Sequence, residues 1–166
     1  MDELKKRWQI TALISAAMMA SVLAYLLVAG ILERSGNFPA SPVPGDQMRM
    51  LRIVIFVIAI GDGLFSFIIK GFLLKGADIP QGVSENLIVP VLAQKLQTST
   101  IVVMAFCESV AIFGLVLFIL TGGSTDFYIL LALSLALMAV HFPRLDKWRE
   151  FISEKQTASI ISQGKI

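Results

Sequence analysis

Residues 98–120 read Thr-Ser-Thr-Ile-Val-Val-Met-Ala-Phe-Cys-Glu-Ser-Val-Ala-Ile-Phe-Gly-Leu-Val-Leu-Phe-Ile-Leu. A helix of about 20 apolar residues crosses the hydrocarbon core of a bilayer, so this run is long enough to span it. It carries a single charge, Glu108, near its middle. An acid at such a depth costs roughly 2.5–3.5 kcal/mol on insertion scales. It persists where a proton, a cation or a partner side chain compensates it. Glu108 is therefore read as a candidate functional group, and the stretch as a transmembrane helix.

The rest of the chain agrees with a membrane class. Of its 166 residues, 56% are hydrophobic, and the mean hydropathy is +0.79. Soluble domains hold about 45–50% apolar residues even with glycine counted. Three further runs have spanning character: 10–32, 53–74 and 127–142. The first follows Lys5-Lys6-Arg7, as a signal peptide would, but is longer than a signal core and ends in no clear small-residue cleavage site. It is expected to be retained. The expected fold class is all-α, an integral membrane four-helix bundle forming one transmembrane domain over residues 1–166. Pro39, Pro42, Pro44 and Gly45 predict an irregular link over 33–50, and Pro80 and Pro90 another over 76–95. Gly122-Gly123-Ser124-Thr125-Asp126 predicts a tight turn. After Pro143, Leu145, Trp148, Phe151 and Ile152 recur at helical spacing among charged residues. That pattern predicts an interfacial amphipathic helix over about 144–155, followed by a loose tail over 156–166.

Basic residues set the expected orientation. Ten lie at the N-terminus, the link after the second span and the C-terminus; three, Arg34, Arg49 and Arg52, lie opposite. Both termini are expected in the cytoplasm of a bacterial-type inner membrane. Trp8 and Trp148 would anchor the inner interface, and Lys70 would snorkel to it. His141 falls at the same level and is read as a headgroup-level residue rather than a ligand. A net charge of +2 makes no case for nucleic acid. The lone Cys107 cannot form an intrachain disulfide and is read as a packing residue. No catalytic triad, phosphate loop or metal-type spacing is visible, so no enzyme activity and no cofactor beyond an ion is expected.

Two sequence relations sharpen the view of Glu108. Shifted by 88 residues, the chain places Arg7 on Lys95, Ser21-Val22 on Ser109-Val110 and Tyr25 on Phe113. This suggests two helical hairpins related by duplication, with Ala20 in the place of Glu108. Asp62, flanked by Gly61 and Gly63, lies midway along the second span. If the second and third spans touch, Asp62 and Glu108 would share a proton or hold a cation with hydroxyls from Ser66 and Ser109. The alternative is that the acids serve helix–helix contact alone.

The stretch Glu108-Ser109-x-x-Ile112-Phe113-Gly114-Leu115-Val116 resembles the carboxylate-bearing helix of the proteolipid (c-type) subunits of rotary ATPases. The resemblance implies a mid-membrane acid that carries a proton or sodium ion within an oligomeric ring. By it, Glu108 would be the ion carboxylate, with sodium as a candidate ion, and Ser109 a ligand. Phe113 falls where that family often has tyrosine and lacks the hydroxyl. The likeness is close over about 25 residues. As a whole the chain is similar to small bacterial four-helix membrane proteins, which implies no function. The expected function is proton or sodium binding at an intramembrane carboxylate in a homo-oligomer or larger complex. The alternative is a non-transporting accessory or scaffold protein.

Overall fold

The computed structural model describes residues 2–35, 45–75 and 85–162. They form five helices: α1 (Asp2–Ser35), α2 (Gly45–Lys75), α3 (Glu85–Thr121), α4 (Ser124–His141) and α5 (Leu145–Ser162). Four of them, α1 to α4, are long and apolar enough to cross a membrane. The protein is an all-α, multi-pass membrane protein. Helices suit that setting because each satisfies its own backbone hydrogen bonds without water.

The bundle is built around α3. Helices α1, α2 and α4 each pack along it, while α4 touches α1 and α2 only lightly. The α3 side chains Val103, Met104, Cys107, Val110, Ala111, Leu117 and Phe118 are buried under this cover. Ala105, Ile112, Val116 and Ile119 on its opposite side are exposed. At 3.6 residues per turn these four share one stripe. The three neighbours thus wrap most of α3 and leave a strip open between α1 and α2. Helix α2 is the loosest partner. Its buried seam is Ile55, Ala59, Gly63 and Ser66, and most of its other span residues face outward.

The hairpin of α3 and α4 is the tightest junction. Gly122 takes φ 68°, in the left-handed region, and its N–H donates to the Phe118 carbonyl at 2.8 Å. That closes the C-terminus of α3 in the way glycine favours. Gly114 lets α4 approach closely: a Cβ there would lie 3.0 Å from the Leu130 Cβ. Ser134 adds a hydrogen bond to the Cys107 carbonyl at 2.6 Å.

Several expected boundaries move. Helix α3 begins at Glu85, not near residue 98, so much of the expected second link is helical. Pro90 sits inside its second turn and removes one backbone hydrogen bond. Burial of Ile88, Leu92 and Leu96 at four-residue spacing holds the helix there nonetheless. At 37 residues α3 is about 55 Å long, well beyond a hydrocarbon core of about 30 Å. Its first turns therefore project past the spans. There they meet the start of α1 and helix α5, with Leu4, Trp148 and Ile152 buried among them and Trp8 and Phe151 packed alongside.

The expected interfacial helix is α5, and it continues through Ser162, so the expected loose tail from 156 is helical that far. Its apolar side is covered by α1 and α3 rather than left to a membrane surface. Phe142 leaves the helical region (φ −54°, ψ 133°) ahead of Pro143, as a pre-proline residue favours. The Trp8 indole N–H donates to the Pro143 carbonyl at 3.2 Å and ties this corner to α1. The expected irregular links around Pro39, Pro42, Pro44 and Pro80, and the end of the tail beyond residue 162, lie outside the described residues.

Candidate functional site

Glu108 and Ser109 are consecutive on α3, so their side chains project about 100° apart. They flank the open strip, one on each side. Glu108 turns towards α1. Its Oε1 accepts a hydrogen bond from the Tyr25 hydroxyl at 3.0 Å and a short one from the Ser21 hydroxyl. Ser21 and Tyr25 are four residues apart and so share one face of α1. Ser109 turns towards α2, where its hydroxyl lies 2.7 Å from Asp62 Oδ2.

This geometry corrects the expected four-residue site. Asp62 and Glu108 share no hydrogen bond. Ser109 serves Asp62 rather than Glu108. Ser66 joins neither acid: its hydroxyl donates to the Gly63 carbonyl at 2.6 Å and lies 3.2 Å from His141 Nε2. The sequence shows the depth of each residue along its helix but not its direction around the axis. That direction separates Glu108 from Ser109.

Ser21 and Tyr25 were not singled out as site residues, yet the sequence held a signal for both. They are the repeat counterparts of Ser109 and Phe113. The repeat-related serines play the same part, each meeting a mid-span carboxyl on a neighbouring helix. The hydroxyl that Phe113 lacks is supplied to Glu108 by Tyr25 of α1.

Counting hydrogens shows what the pairs can do. A serine hydroxyl has one hydrogen to donate. Ser21 lies 2.7 Å from the Met18 carbonyl as well as on Glu108. Ser109 lies 2.7 Å from the Phe106 carbonyl as well as on Asp62. When the serine hydrogen points at the carboxyl, it serves an ionised acid. When it points at the backbone carbonyl, the serine oxygen can accept from a protonated acid. Each pair thus accommodates both proton states by rotating one hydroxyl. The second oxygen of each carboxyl makes no hydrogen bond, and both side chains are half-buried.

The remaining expected residues sit nearer the helix ends. Lys70 is half-buried and forms no ion pair with Asp62. Trp148 is only 4% exposed, so its indole fills the extramembrane core instead of anchoring to lipid. Trp8 is half-buried beside it. His141, read as a headgroup-level residue, is buried against Ser66 with its ring 4.6 Å from that of Phe67. At the opposite end Arg52 of α2 pairs with the buried Asp126 of α4, and Tyr128 donates to Glu33 at 3.3 Å. Among the described residues no three or more His, Cys, Asp or Glu side chains converge as a metal site would.

Compared with family profiles, curated proteins and solved structures, the chain matches none.

Proposed function

We propose that this protein binds a proton, with sodium as the competing ion, at Glu108 midway through the membrane. The reading rests on one observation: Glu108, half-buried midway along α3, holds one oxygen on the Ser21 and Tyr25 hydroxyls and leaves the other without a hydrogen bond. The hydroxyls satisfy either proton state, and the second oxygen is left for an ion. A sodium ion would use the same carboxylate with the Ser21 and Tyr25 oxygens. Asp62 with Ser109 forms a second, separate acid on the α2 side. The resemblance to proteolipid subunits supports the same role for Glu108. In this reading the protein works within a homo-oligomer or larger complex of a bacterial-type inner membrane, with both termini cytoplasmic. Any pumping draws its energy from a partner, since the sequence shows no nucleotide-binding motif.

The exposed stripe of Ala105, Ile112, Val116 and Ile119 favours a second reading. There the second Glu108 oxygen bonds a partner helix laid on α3, and the protein is an accessory or scaffold subunit.

Carbodiimide labelling of the purified protein across pH, with and without sodium, separates the two. Carbodiimides attack protonated carboxyls in apolar surroundings, and mass spectrometry locates the adduct. Labelling at Glu108 that fades as pH rises and ignores sodium identifies a proton site. Protection by sodium identifies a sodium site. No adduct at any pH, together with a complex that survives Glu108→Gln and is lost in Glu108→Leu, would replace ion binding with helix contact.

A further inference from the structure

Asp62 differs from Glu108 in what surrounds it. It lies midway along the α2 span and is half-buried. Its Oδ2 accepts from the Ser109 hydroxyl at 2.7 Å, and that hydroxyl also lies 2.7 Å from the Phe106 carbonyl. Among the described residues no cation pairs with Asp62. The helices packed on α2 are α3 and α4. The titratable groups in their spans are all turned elsewhere. Glu108 faces α1 and Cys107 is buried in the core. Asp126 holds Arg52, Tyr128 donates to Glu33, and His141 meets Ser66.

A hard cation is held by several oxygens converging on one point. Around Asp62 the neighbouring turns supply carbon instead. Phe65 follows Asp62 by three residues and Phe106 precedes Ser109 by three, and their rings meet edge to face with centroids 5.2 Å apart. On the other side Ala59 is buried, and Phe113 packs against the cluster that holds it. Ser66, one turn along α2, commits its hydroxyl to the Gly63 carbonyl and His141. Glu108, by contrast, has two hydroxyl oxygens of α1 on one carboxyl oxygen. A proton needs no such shell. A single neutral hydroxyl offsets little of the cost of an ionised acid at mid-membrane, and a proton removes that cost outright. Ser109 then serves the acid by turning its hydrogen to the Phe106 carbonyl and accepting from Asp62. We propose that Asp62 with Ser109 is a second site of this protein, one that takes a proton and excludes sodium. The assignment goes beyond the role of Glu108 and does not depend on it, because the two acids share no hydrogen bond.

The test uses the full chain in detergent micelles with Glu108→Gln, so that Asp62 is read alone. Infrared spectra at neutral pH, where exposed carboxyls are ionised, should show a protonated-carboxyl band that is lost in the double variant Glu108→Gln/Asp62→Asn. Carbodiimide should form an adduct at Asp62 under the same conditions and none at Asp146, whose side chain is 97% exposed. Replacing choline with sodium should change neither signal. Ser109→Ala should carry both signals to higher pH by about 0.5–1 unit, because the hydrogen bond to the ionised acid is the stronger of the two that Ser109 makes. Absence of the infrared band at neutral pH would overturn the proposal whether or not the reagent reaches Asp62. Suppression of the band by sodium would overturn the exclusion and make Asp62 a cation site. A pH profile unmoved by Ser109→Ala would remove Ser109 from the site.

Discussion

Replacing Gly114 with alanine tests the packing that places Glu108. The added Cβ would lie 3.0 Å from the Leu130 Cβ, 3.4 Å from the Phe127 carbonyl oxygen and 3.6 Å from the Phe127 Cα. Carbon atoms rest about 3.5–4.0 Å apart, so α4 must retreat by roughly 0.5 Å. None of these three atoms can swing away by changing rotamer. The retreat strains the bond from Ser134 to the Cys107 carbonyl and the Phe118–Phe127 ring contact, whose centroids are 5.6 Å apart. Overpacking of this kind costs about 1–3 kcal/mol. Against it stands a gain of about 1 kcal/mol, because alanine favours a helix over glycine. The net expectation is a loss of about 1 kcal/mol. Gly30 supplies the control, since a Cβ there meets nothing within 4 Å, so Gly30→Ala should gain about 1 kcal/mol from propensity alone. Unfolding in mixed micelles, followed by circular dichroism, gives both values under one condition. If Gly114→Ala proves as stable as Gly30→Ala, the close approach of α3 and α4 is wrong, and so is the orientation of α3 derived from it.

Three further outcomes follow from the same packing. A double-mutant cycle of Ser21→Ala and Glu108→Gln, read by unfolding in micelles, should show coupling of about 0.6–1.7 kcal/mol, the range for hydrogen bonds within membranes. Additive effects would remove the α1–α3 contact. Trp148→Ala should cost about 3–5 kcal/mol locally, seen as faster amide exchange over 145–158 with the spans unchanged; unaltered exchange would show that α5 is held by something else. Ser15 is fully buried and its hydroxyl has no hydrogen-bond partner. Ser15→Ala should therefore leave thermal stability unchanged or raise it by about 1 kcal/mol, and a clear loss would reveal a partner for that hydroxyl.

The spans were legible because hydropathy acts residue by residue and needs no knowledge of neighbours. Glu108 stood out for the same reason, as a cost that the local sequence cannot offset. What surrounds Glu108 was not legible, since hydropathy reports depth and is silent on azimuth. Ser109, its neighbour in sequence, turned out to belong to Asp62, while Ser21, 87 residues away, belongs to Glu108. The repeat carried part of this information by equating the two serines. Pro90 misled for a different reason. Its local cost is real, but Ile88, Leu92 and Leu96 recover more by packing on α1 and α5 than one lost hydrogen bond takes away. Likewise the spacing of Leu145, Trp148 and Ile152 announced an apolar face on α5 without saying whether lipid or protein would cover it.

The unbroken length of α3 makes it a lever. Glu108 sits within the membrane, and Leu92, on the same rod, lies about 24 Å away in the extramembrane core. A tilt of about 5° around the carboxyl would therefore displace Leu92 by about 2 Å. Close-packed side chains do not absorb such a step smoothly. Leu92 is buried with Leu4, Trp148 and Ile152, so α1 and α5 would have to move with it. A tilt of α3 set at Glu108 would thus be felt where α1, α3 and α5 pack together.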